Sequence, residues 1–245
     1  MRAAAPLVPM TKHLLHDLDQ LKKDLLTMGA MVEEATNKAI ASLVHRNPAL
    51  ADEVLAGDDA IDRKELEIED ECLKALALHQ PVAGDLRFIV AVMKVNNDLE
   101  RVGDLAQNIA ERARFLATHE PIDVALDFGR MVERVRTMLS QSLDALVQQD
   151  TVLARKVCAQ DDEVDRLFQQ MFSTLQELMQ RRPDTIERAV HTLSVARHLE
   201  RIADHATNIA EDTVFMVEGE IIRHHPEQLA RPLAGAELRA RGSLR

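Results

Sequence analysis

One stretch of this chain is written twice. Leu99-Glu-Arg-Val-Gly-Asp-Leu-Ala-Gln-Asn-Ile-Ala-Glu111 returns one hundred residues later as Leu199-Glu-Arg-Ile-Ala-Asp-His-Ala-Thr-Asn-Ile-Ala-Glu211. On a helix, where each residue turns about 100°, Leu99, Val102, Ala106, Ile109 and Ala110 form an apolar stripe suited to burial. Glu100, Asp104 and Glu111 share another face, with Asn97 and Asn108 beside them. The second copy gives Glu200, Asp204 and Glu211, with Asn208. Carboxylates one turn apart repel by about 0.2–0.5 kcal/mol per pair on an isolated helix, and no base stands four residues after Glu100, Asp104, Glu200 or Asp204. Two readings follow. A hard cation bound through oxygen neutralises the stripe, or the stripe is a solvated polar face with an internal salt bridge to Arg101 or Arg201.

The duplication reaches further. Gly57-Asp-Asp-Ala-Ile-Asp62 resembles Gln160-Asp-Asp-Glu-Val-Asp165, now offset by 103, and the change of offset falls at the Pro81 and Pro183 corners. Four acidic pairs therefore stand one helical turn apart: Asp58/Asp62, Glu100/Asp104, Asp161/Asp165 and Glu200/Asp204. All eight are candidate metal ligands. For Asp58 and Asp161 a competing role is helix capping, where a carboxylate meets free amides and the positive end of the macrodipole.

These pairs need long helices to position them. Apolar positions Leu14, Leu18, Leu21, Leu25, Met28, Val32, Ala35, Ala39 and Leu43 step by three and four, which predicts a first helix over 11–45. Asn47-Pro48 turns the chain, and a second helix is expected over 49–79 with Gly57 as a candidate kink. A third spans 82–118. The second half repeats the plan, with helices over 122–148, 151–181 and 184–217. The expected fold is all-α: two tandem, pseudo-symmetric, antiparallel three-helix bundles over 11–119 and 120–219. Residues 1–10 read as a flexible tail and 220–245 as a C-terminal tail, basic beyond Ile222.

Composition agrees. Eight Gly, eight Pro and 46% hydrophobic residues suit a helical protein, and six Phe without Trp or Tyr give an aliphatic core. A net charge of −11 opposes the phosphate attraction on which nucleic-acid binding rests. No run approaches the ~20 apolar residues of a membrane span, and the first ten residues lack the continuous apolar core of a signal peptide. Cys72 and Cys158 have no CxxC spacing and read as reduced, buried thiols of a cytoplasmic protein. No Glu is followed three residues later by His, which argues against a di-iron carboxylate bundle. Walker A, GxSxG and nucleophile–base signatures are missing, so nothing in the residues points to an enzyme. His205, beside Asp204, is a lone candidate ligand, and the alternative is a surface or core imidazole.

Gln80-Pro-Val-Ala-Gly-Asp-Leu-Arg87 followed by Lys94-Val-Asn-Asn-Asp-Leu-Glu-Arg-Val-Gly-Asp104 resembles the signature of the PhoU family, and Ala196 to Glu211 resembles its second half. The likeness covers about residues 11–223. It implies two three-helix bundles, metal clusters as found in some members, and negative regulation of the phosphate-starvation response. It also implies partners: the ATPase of a phosphate ABC transporter, a sensor histidine kinase and a second copy in a homodimer, with no nucleic acid and the membrane reached only through partners. The metal motifs carry over onto Glu100/Asp104, Glu200/Asp204, Asp58/Asp62 and Asp161/Asp165, for iron, zinc, magnesium, manganese or nickel. One departure is Ala203, where the family often has Gly. Two other functions remain open on the residues alone: a metal-dependent phosphohydrolase, and a metal-free scaffold that binds basic partner surfaces.

Overall fold

The computed structural model describes residues 12–222. Among them seven α-helices and one short 3-10 turn appear, with no strand: α1 Lys12–His45, α2 Pro48–His79, α3 Ala83–Ala117, α4 Phe128–Gln148, α5 Thr151–Cys158, α6 Asp161–Arg181, the turn Pro183–Thr185, and α7 Ile186–Glu218. Residues 1–10, His224, His225 and the basic segment beyond Ile222 lie outside the described residues.

Local chemistry sets the helix ends. Asn47 caps α2, its side chain accepting from Ala49 N at 3.1 Å, with Pro48 in the first turn. Asp150 caps α5 by accepting from Val152 N at 2.9 Å and Leu153 N at 3.0 Å. Gly219, at φ +76°, closes α7 in the left-handed region that a residue without Cβ enters freely. At the end of α3 the cap comes from a distance: the Arg46 guanidinium donates to Leu116 O at 2.7 Å, and also to Ala117 O and His119 O.

The two halves are an α1–α2–α3 bundle and an α4–α5/α6–α7 bundle, and α3 lies along α7. The apolar stripes meet as expected. Leu99, Val102, Ala106, Ile109 and Ala110 are buried, as are Leu199, Ile202, Ala206, Ile209 and Ala210. Ion pairs tie helices together at the edges: Lys64 of α2 with Asp24 of α1, His79 with Asp17, and Arg155 of α5 with Glu218 of α7.

Four expectations are corrected. The helix expected over 151–181 breaks at Ala159–Gln160, where Gln160 turns its side chain onto Lys156 O and Gln141. The fourth helix begins at Phe128 rather than 122, because residues 120–127 form a connecting loop. Gly57 does not break α2: the helix runs on through it, with Asp58 inside the helix rather than at its cap. Asp161 does open α6, although Gln160 occupies the cap position. Ile222, in the segment read as the C-terminal tail, is buried.

Candidate functional site

The four acidic pairs are gathered into two clusters, one per repeat. In the first, α2 brings Asp58 and Asp62 beside Glu100 and Asp104 of α3. Gln107 Nε2 donates to Asp58 Oδ2 at 2.8 Å across the two helices. Burial, then the charges of Asp62 and Asp104, push Asp58 above the usual carboxylate range. Burial and Asp104 do the same for Glu100, against the pull of Arg101. Glu65, one turn beyond Asp62, is raised by burial and then by Glu69 and Asp62, so it also belongs to this face. Sequence reasoning missed it. The signal was the Asp58, Asp62, Glu65 spacing of four and three.

In the second cluster α6 supplies Asp161 and Asp165, and α7 supplies Glu200 and Asp204. Burial, then Asp204 and Asp165, push Asp161 up to about 6, while the Thr207 hydroxyl favours its charged form. Thr207 and Gln107 hold equivalent places. Partial burial, then Glu200 and Asp165, push Asp204 up to about 6 as well, although the residue as a whole is exposed to solvent. Glu200 is raised by burial and held down by Arg197.

Arginines meet part of this charge. Arg101 Nη1 lies 3.1 Å from Asp104 and its Nε lies 3.3 Å from Glu100, so the expected internal bridge forms in the first copy. In the second the base is Arg197, three residues before Glu200 and 2.8 Å away, rather than Arg201. Among the described residues, Glu100 Oε2 and Glu200 Oε2 are both buried without a hydrogen-bond partner; the first has Arg101 Nε at 3.3 Å, and no ion pair reaches the second. As the side chains stand, no three His, Cys, Asp or Glu groups among the described residues converge as a metal-holding set. Repulsion among the carboxylates and the pull of Arg101 and Arg197 oppose convergence. The donor set itself fits a hard cation, since every candidate is a carboxylate, and the orphaned Glu200 oxygen marks where positive charge is missing.

The other named residues lie elsewhere. Asn108 donates to Asp104 O on its own helix, and Asn97 lines a cleft of about 370 Å³ on the α3–α7 seam. His205 is not aimed at Asp204: its Nδ1 pairs with Asp98 of α3 at 2.7 Å. Cys72 and Cys158 are free and buried, and burial pushes both thiols up to about 12. No described helix is long and apolar enough to cross a membrane.

The fold and the doubled clusters define a class: tandem three-helix bundles, each presenting carboxylates from two neighbouring helices on one ridge. The PhoU domain model matches residues 25–113 and again 128–213, and the chain belongs to the PhoU family. It is 45% identical over 211 residues to the phosphate-specific transport system accessory protein PhoU homolog of Aquifex aeolicus, covering 86% of this chain and 96% of that one. It is 38% identical over 181 residues to the homolog of Caulobacter vibrioides, covering 72% and 79%. The crystal structure of PhoU from Pseudomonas aeruginosa superposes with a TM-score of 0.82 at 35% identity, over 84% of this chain and 99% of that one. That of the phosphate transport system regulatory protein PhoU from Streptococcus pneumoniae gives 0.75 at 27% identity, over 85% and 98%.

Proposed function

We propose that this protein is a negative regulator of the phosphate-starvation response. It acts as a cytoplasmic, homodimeric adaptor between the ATPase of a phosphate ABC transporter and a sensor histidine kinase. Its action is steric and allosteric rather than catalytic: when phosphate is plentiful it engages both partners and biases the kinase towards its inactive or phosphatase state. The observation that carries this reading is membership of a family whose relatives are named accessory proteins of phosphate-specific transport, the Aquifex aeolicus one matched over 96% of its length.

The two acidic clusters give the adaptor metal sites. Asp58, Asp62, Glu100 and Asp104 would hold one set of ions and Asp161, Asp165, Glu200 and Asp204 the other. A bound hard cation supplies the positive charge that these carboxylates lack. The carboxylates themselves cross-link α2 to α3 and α6 to α7 and give up the protons that burial favours on Asp161 and Asp204. The unpartnered Glu200 Oε2 supports this reading.

Deletion of the gene followed by starvation-reporter and phosphate-uptake measurements in rich phosphate tests the regulatory role. The reporter is expected to switch on, and continued silence overturns the assignment. Elemental analysis of untagged protein purified without chelator tests the metal role. The expected content is lost in the Glu100→Ala/Asp104→Ala/Glu200→Ala/Asp204→Ala variant, and undiminished metal there removes it.

A further inference from the structure

The two ends of the α3–α7 seam occupy equivalent positions in the repeat and differ in charge balance. Three contacts fix the antiparallel register: Lys94 Nζ to Asp212 Oδ1 at 3.0 Å, Asn208 Nδ2 to Asp98 Oδ1 at 3.2 Å, and the Phe115 ring stacked on His191 at 3.8 Å. The same register sets Arg112 opposite Ser194. At the first end the charges are matched. Lys94 has Asp212 and lies over the Phe215 ring at 5.0 Å, and His205 has Asp98.

One hundred residues away the acids are gone. The counterpart of Asp212 is Arg112, that of Asp98 is His198, and that of Lys94 is Ser194. Arg112 is half-buried and has no ion-pair partner among the described residues. Ser194 Oγ lies 3.3 Å from His198 Nε2, and the buried Nδ1 atoms of His198 and His191 have no hydrogen-bond partner. The charges facing His198 are Arg112 from α3 and Arg201 from α7, and with burial they hold it down to about 4. His191, two turns earlier, faces Arg112, His119 and Glu187. Ser194 also lines a largely apolar cleft of about 550 Å³ between α6 and α7, together with Phe168, Phe172 and Val190. A guanidinium without a counter-charge, next to a hydroxyl and an imidazole, is the donor set that recognises an oxyanion.

We propose that this end of the seam binds a small oxyanion, phosphate or carboxylate, on Arg112, with Ser194 and His198 completing the contacts. The inference stands apart from the metal clusters, which lie on the α2–α3 and α6–α7 ridges.

The full chain, with ¹⁵N-labelled histidine and chelator present, is titrated with inorganic phosphate and separately with acetate at fixed ionic strength. The His198 imidazole signals are followed. A saturable shift of those signals in either arm is the expected result, and the responding arm identifies the anion. Arg112→Ser is expected to weaken binding about tenfold or more. Arg114→Ser, at a base paired with Asp52 at 3.3 Å, is expected to leave it unchanged. Thermal melts establish that Arg112→Ser is folded, and Arg112→Gln provides the same comparison should it not be. A shift that never saturates in either arm, or one that persists undiminished in the Arg112 variants, overturns the proposal.

Discussion

Ile61 of α2 leans into the space that Gly103 of α3 leaves: a Cβ on Gly103 would stand 3.2 Å from Ile61 Cγ2 and 3.4 Å from its Cδ1. In the second repeat the glycine is Ala203, and the residue aligned with Ile61 is Val164, one methylene smaller. Both are fully buried. The extra Cβ at Ala203 is thus matched by a smaller aligned residue, Val164. Gly103→Ala alone combines a helix-propensity gain of about 1 kcal/mol with an overpacking cost of about 1–3 kcal/mol. Its denaturant midpoint is expected to fall or stay level. Adding Ile61→Val is expected to raise it again, by more than additivity allows. A full 1 kcal/mol gain from Gly103→Ala alone would show that Ile61 yields freely.

Arg46 holds the end of α3 through three carbonyls while itself sitting at φ 51°. Arg46→Ala loses those charge-assisted bonds, at about 1 kcal/mol for an exposed group, and keeps the backbone penalty. Arg46→Gly loses the bonds but relieves the backbone. In urea unfolding the glycine variant is expected to lie between the alanine variant and the native protein. A glycine variant no more stable than the alanine one would remove the backbone argument.

Titration of His198 gives a pH dependence whose sign is fixed. Its folded value, about 4, lies below the ordinary 6.5. Between the two the unfolded chain binds more protons, so this group's contribution to stability is lost as pH falls from about 6.5 to about 4. Asp161 and Asp204, raised to about 6, act oppositely: their burden is lifted as pH falls from about 6 to about 4. The native slope mixes both. The informative measurement is the difference between native protein and His198→Asn in melting temperature against pH, expected to shrink as pH drops. A difference that widens on acidification would contradict the geometry.

Metal addition should separate the clusters from the rest of the surface. For the protein in chelator, a divalent cation at 100 times its dissociation constant is expected to add about 2.7 kcal/mol of stability. Glu200→Gln/Asp204→Asn removes part of that gain while raising the metal-free melting temperature, because burial and like charge both disfavour the ionised pair. Should the variant gain as much from metal as the native chain, the second cluster holds no ion.

The helices and the repeat were legible because each rests on local periodicity. Leu99, Val102 and Ile109 announce their burial by spacing alone, and the four acidic pairs announce themselves by recurring. The break at Ala159–Gln160 was not legible: neither Pro nor Gly marks it, and the only local sign is the acidic run Asp161-Asp162-Glu163 suited to a new helix start. The partner of Glu200 was sought four residues downstream or at Arg201, and Arg197 answers from three residues upstream. The seam was hidden for a different reason. Asp98 meets His205 and Lys94 meets Asp212 across more than a hundred residues, where no periodicity connects them.

α3 and α7 each face two ways, towards their own repeat and towards each other, and their buried side chains join one continuous apolar cluster. Neither half owns a complete interior. A chain severed between Ala117 and Phe128 would leave two fragments, each with an oily flank that only the other can cover. Melting of the intact molecule should therefore register as a single event rather than two.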